Sequence, residues 1–216
     1  MNSIAVPSVK VRSAAEVKPS AALPLAGLSL SMLLASLGTS IANVSLPTVA
    51  AAFDASFRQV QWVVLAYLLT LTCVIVPVGR IADLAGRRRL LTIGITVFTI
   101  GSVLGGLAPV LWALNAARVV QGAGAAMMMA AALALVSETV PREKMGRAMG
   151  LLGTTSAVGT AMGPSIGGIL ISEFGWRSVF FFTVPLGVLA LFLVLRYLPL
   201  DRRSMRCSKQ RTTPPS

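Results

Sequence analysis

The 216-residue sequence predicts an all-α polytopic membrane protein, a bundle of six transmembrane helices. Three observations lead there. Hydrophobic residues make up 55% of the chain and charged residues 12%, about half the charged share usual in soluble domains. The charges gather in short clusters that leave long uncharged runs between them. Along the chain these clusters alternate between strongly basic and nearly free of Lys and Arg, as expected when successive loops lie on opposite sides of a membrane.

Residues 1–20 carry Lys10, Arg12, Glu16 and Lys18 among small residues without apolar periodicity, and are read as a cytoplasmic tail. The apolar run that follows is too long for the h-region of a signal peptide, so it is read as a first span that stays. The uncharged runs cover 19–53, 59–79, 90–117, 119–137, 148–172 and 178–195. Since a span needs roughly 20 residues, helices are expected at 23–48, 60–79, 90–108, 112–137, 148–171 and 178–197. Asp54, Pro109 and Glu173 mark the outer turns. The bundle then occupies 21–198, and 199–216 is a basic cytoplasmic tail.

Between the second and third spans stands GRIADLAGRRR, Gly79 to Arg89. A charged side chain at the bilayer centre costs at least about 2.5 kcal/mol. Arg80, Asp83, Arg87, Arg88 and Arg89 are therefore placed at a membrane surface, in a tight polar turn with Gly79 and Gly86 at its helix ends. In the fourth span Arg118 is an ionisable group inside the membrane, which is a functional expectation by default. Glycine is concentrated within spans, where small residues let helix backbones approach. Pro47, Pro77, Pro164 and Pro185 also fall within or near spans, where neighbouring helices can satisfy the freed carbonyls.

Orientation follows from the basic residues. Sixteen Lys and Arg lie in the two tails and in the loops around Gly79 and Pro141, against Arg58 and Arg177 in the opposite loops. Both termini are expected in the cytoplasm, with the chain in the inner membrane. The net charge of +12 is then a topology signal facing the lipid bilayer, and no nucleic-acid partner is expected. There is no histidine, and of the two cysteines Cys73 falls in a span and Cys207 in the basic tail. Neither a zinc site nor a disulfide framework is expected. No span holds an acid pair, a Ser/Lys dyad or a His/Glu set, so no enzymatic activity and no cofactor are expected.

Four stretches resemble motifs of one family, the major facilitator superfamily, in its fourteen-span multidrug proton-antiporter branch (EmrB/QacA-like). In the Gly79 stretch, Gly79, Asp83, Gly86, Arg87 and Arg88 match the loop motif that the family uses as a conformational latch. LNAARVVQGAGAA resembles the motif R-x-x-Q-G-x-G-A, which assigns Arg118, Gln121 and Gly122 to proton coupling. GTAMGPSIGG resembles the antiporter motif that marks exporters, through Gly159, Gly163, Pro164, Gly167 and Gly168. LGTSIANVSLPTV, QWVVLAYLLT and GWRSVFFFTVPLG resemble the branch's spans one, two and six, with two departures: Gly38 stands where the branch often has Asp, and Thr183 where it has Asn. No acid then lies deep in any span.

The resemblance implies an N-terminal six-helix bundle from a proton-coupled exporter of drug-like amphipathic compounds, with protons and a small-molecule drug-like substrate as partners. Asn43, Gln61 and Tyr67 are candidates for the substrate cavity, and equally for hydrogen-bond glue between helices. The family needs two six-span halves, so a missing C-terminal half or a second copy is an expected partner. The alternative is a truncated, non-transporting remnant or a subunit that pairs with another half.

Overall fold

The computed structural model describes the backbone of residues 19–140 and 142–198, with side chains at 24–80, 86–137, 140 and 142–198. Residues 1–18 of the tail expected at 1–20, the tail expected at 199–216, Pro141 and the Asp83 side chain lie outside the described residues, while Pro19 and Ser20 already belong to the first helix. Six helices follow one another: α1 (Pro19–Ala52), α2 (Phe57–Ala85), α3 (Arg87–Leu107), α4 (Leu111–Thr139), α5 (Met145–Phe174) and α6 (Arg177–Tyr197), with one 3-10 turn at Arg142–Lys144. The fold is the all-α bundle of six helices that the sequence predicts.

Five of these helices are long and apolar enough to cross a membrane. The exception is α5, whose 30 residues suffice in length but include many Gly, Ser and Thr that dilute its hydropathy. Its sequence reads as a span because it is free of charge from Ala148 to Ser172, not because it is strongly apolar.

The second span runs further than its uncharged segment. Helix α2 continues through Gly79 and Arg80 to Ala85, and the chain breaks at Gly86 alone. Charge excludes a residue from the bilayer core but does not end a helix, and about 43 Å of helix for 29 residues exceeds a hydrocarbon core of about 30 Å. Gly86 ends it because the turn needs φ 92°, a conformation that side-chain-bearing residues avoid. Gly79, by contrast, has no neighbour within 4 Å of where a Cβ would stand.

Helix α4 packs between α2 and α3, while α1 packs against α5 and α6, and α3 meets α6. Glycines set how closely these helices approach. A Cβ on Gly101 would come within 2.8 Å of the Gln121 backbone nitrogen, and one on Gly94 within 2.8 Å of the Met127 Cβ. Gly105 and Gly106 seat the rings of Phe180 and Phe181 from α6. Two apolar clusters fill the interior. One is built around Tyr67, Ile95, Phe98 and Met128; the other lies toward the α1–α2 turn around Val63, Leu114, Trp176 and Phe180.

Candidate functional site

The site begins with a charge in the bundle. Arg118 lies seven residues into α4, about 10 Å along it at 1.5 Å per residue, and is 1% exposed. A long cationic side chain near a helix end can snorkel to the headgroups; this one turns inward. Its Nε donates to the Val63 carbonyl of α2 at 2.9 Å. One terminal nitrogen, Nη1, donates to the Gly38 carbonyl of α1 at 3.2 Å and to Gln121 Oε1 at 2.5 Å. The other, Nη2, is buried with no hydrogen-bond acceptor among the described residues.

Above the guanidinium lies the Tyr67 ring, its centroid 4.4 Å from the Arg118 Cζ. An aromatic face attracts a cation, by about 2 kcal/mol where water is excluded. The ring is itself fixed, because its hydroxyl donates to the Ala35 carbonyl of α1 at 2.8 Å. Gln121 Nε2 donates to Ser102 Oγ of α3 at 2.8 Å, and Ser102 Oγ donates to the Phe98 carbonyl at 2.9 Å. The network therefore joins α1, α2, α3 and α4 through one cation. Each partner is neutral: two carbonyls, one amide and one ring. The acidic side chains among the described residues, Asp54, Glu143 and Glu173, are exposed at helix ends.

Position 38 is part of this network. A Cβ on Gly38 would stand 3.1 Å from the Phe98 Cζ and 3.9 Å from Gln121 Nε2, so any side chain there would point at the Arg118 partners. Gly122, next to Gln121, lets α4 approach α2, since a Cβ on it would lie 2.6 Å from the Tyr67 carbonyl oxygen.

Of the three cavity candidates, Tyr67 is fully buried in the Arg118 network. Asn43 and Gln61 are exposed on α1 and α2, and Asn43 Nδ2 donates to the Thr39 carbonyl in its own helix at 3.2 Å. No hydrogen bond among the described residues joins Asn43 or Gln61 to Tyr67. Ser102, Phe98 and the carbonyls of Val63, Gly38 and Ala35 had no signal in the sequence.

Arg87 and Arg88, expected in the loop, are the first two residues of α3 and reach across one end of the bundle. Arg87 Nη1 donates to the Ala134 carbonyl near the end of α4 at 2.6 Å, and Arg88 Nη2 to the Leu195 carbonyl near the end of α6 at 2.8 Å. Cations at helix C-termini suit the negative end of the helix dipole.

The α5 motif divides between two faces. Gly159, Gly163 and Gly167 are buried against α1: a Cβ on Gly159 would lie 2.9 Å from the Leu33 carbonyl oxygen, and one on Gly163 would collide with Ser40. Pro164 is exposed, and Gly168 has no neighbour within 4 Å of a Cβ. Because proline has no N–H, the carbonyl four residues earlier loses its helical donor. That carbonyl is Thr160, and Ser40 Oγ of α1 donates to it at 2.6 Å.

The model of the Major Facilitator Superfamily matches residues 28–215. Riboflavin transporter RibZ of Clostridioides difficile (strain 630) is 40% identical over 166 residues, covering 77% of this chain and 36% of that protein. Multidrug resistance protein Stp of Mycobacterium tuberculosis is 41% identical over 177 residues, covering 82% of this chain and 33% of that protein. The crystal structure of a D-xylose-proton symporter superposes with a TM-score of 0.76 at 16% identity, over 89% of this chain and 52% of that one. The chain spans about a third of the length of the curated relatives it matches (36% and 33%). The family model extends from α1 to beyond α6, over the whole bundle that encloses Arg118, and the chain belongs to the Major Facilitator Superfamily.

Proposed function

We propose that this bundle is the first half of a proton-coupled exporter of drug-like amphipathic compounds, working against a second six-helix bundle. The observation that carries this reading is Arg118, a buried cation held by neutral groups contributed by the surrounding helices. Such a charge is costly to hold in a membrane, which makes it a functional residue by default. Arginine keeps its proton, so its role is to set the electrostatic potential felt by a titrating group or an ionised substrate in the cavity. The relatives named for riboflavin transport and multidrug resistance support a small-molecule substrate.

Arg87 and Arg88 act as the latch, tying the α2–α3 turn to the ends of α4 and α6. The α5 face that carries Pro164 and Gly168 receives the second bundle. Alternating access needs two bundles that rock about a central site. In energised inverted vesicles, this chain alone is expected not to accumulate a fluorescent cationic dye. Joined to the second bundle of the Stp relative, it is expected to do so until a protonophore is added. Accumulation by the chain alone, or by the joined protein with the protonophore present, would overturn the reading.

The basic face is placed in the cytoplasm, as its Lys and Arg excess demands. With Cys73 and Cys207 replaced by serine, a cysteine at Glu173 is expected to react with an impermeant maleimide on intact cells, and one at Arg89 only after lysis. The reverse pattern would invert the topology.

A further inference from the structure

On the outer side of the α3–α4 pair, at the end of the bundle near Pro109, runs a surface groove of about 280 Å³. It is lined by Leu104 and Leu107 of α3 and by Trp112, Ala113, Ala116 and Val120 of α4. From Trp112 to Val120 it follows about 12 Å of α4. It is continuous with an apolar stripe on α3, where Ile93, Ile100, Leu104 and Leu107 are all about half exposed or more. Both helices are long and apolar enough to cross a membrane, so in the bilayer this groove meets acyl chains.

A second feature adjoins one of its lining residues. Ala108 lines the groove, and its carbonyl accepts a hydrogen bond from Arg177 Nη2 of α6 at 3.2 Å. The Arg177 Cζ also lies 4.7 Å from the centroid of the Trp176 ring. The guanidinium is thereby held in place. Its remaining N–H donors, of the five an arginine carries, have no acceptor among the described residues, and the side chain is exposed. Trp112, which lines the same groove as Ala108, is 74% exposed at the second residue of α4, the depth where tryptophan favours the headgroup boundary.

We infer that this groove is a specific site for an anionic phospholipid. One acyl chain lies over Ala113 and Ala116 toward Val120, and the phosphate sits on Arg177 at the level of Trp112. The planar guanidinium can offer two parallel N–H groups to phosphate oxygens. The apolar groove fixes the chain and the cation selects the headgroup. This inference does not depend on what the bundle transports.

The test uses the full chain in detergent, carrying Trp62→Phe so that Trp112 is the exposed indole. Phosphatidylglycerol brominated along its chains is expected to quench the fluorescence saturably. The concentration needed should be about fivefold lower than for brominated phosphatidylcholine, the preference that one cation near the surface gives an anionic lipid. Arg177→Gln should remove the preference while leaving weak quenching by both lipids. Ala116→Phe, a substitution at an exposed lining position, should remove saturable quenching without changing elution of the folded chain. Equal quenching by both lipids in the parent, or a preference that survives Arg177→Gln, overturns the inference. So does displacement of the lipid by inorganic phosphate at concentrations that leave ionic strength matched, which would make the site one for a free anion.

Discussion

Replacing Gly124 with valine is expected to be the most damaging single substitution in the bundle. A Cβ at this position would press on the backbone nitrogen of Phe98 and lie 2.8 Å from both the Phe98 Cα and the Gly94 carbonyl oxygen. These are backbone atoms of a helix, so no rotamer change relieves the overlap. Helices α3 and α4 have to separate, and the fits of Gly94 against Met127 and Gly101 against Gln121 go with them. The cost is expected at the upper end of overpacking, about 3 kcal/mol or more, with loss of the monodisperse folded species in detergent. Gly153→Ala is the control. Gly153 has no neighbour within 4 Å of a Cβ, and alanine in place of glycine in a helix stabilises by up to about 1 kcal/mol. Equal tolerance of the two substitutions would mean that α3 and α4 do not meet as described.

The spans were legible because charge and bilayer thickness are written directly in sequence. Uncharged runs located the six helices, and the inner glycines marked where they touch. Helix ends were less legible: charges at Arg80 and Asp83 place a surface, whereas the break waits for the φ of Gly86. In α5 the motif showed the small residues but not their division into a face packed on α1 and a bare face.

At the site, Arg118 was visible as a charge in an apolar run, and Gln121 by its spacing. The partners of Arg118 were not, because two are backbone carbonyls, which every residue carries. Tyr67 was visible as a polar aromatic in a span. That its ring covers the guanidinium and its hydroxyl reaches Ala35 follows from the rotation of α2, which an apolar helix does not declare in its sequence.

Arg118→Gln separates stability from function. It removes a buried charge, which releases a desolvation cost, and also removes the second hydrogen bond that the helical carbonyls of Val63 and Gly38 accept and the ring contact with Tyr67. The two effects oppose each other, so stability is expected to shift by no more than about 2 kcal/mol. Coupled transport by the bundle joined to a second half is expected to fall to the level of empty vesicles. Tyr67→Phe keeps the ring and should retain most activity, whereas Tyr67→Leu removes it and should behave like Arg118→Gln.

The most direct measurement follows protons. Inverted vesicles carrying the joined protein are acidified inside, and the pH gradient is recorded with a fluorescent amine as substrate is added. A proton-coupled exporter, releasing protons from the vesicle as substrate enters, dissipates the gradient on each substrate addition, and Arg118→Gln, present at the same level and folded, leaves it intact. A gradient that does not respond to substrate while substrate still moves, or one that Arg118→Gln dissipates as the parent does, would contradict the account.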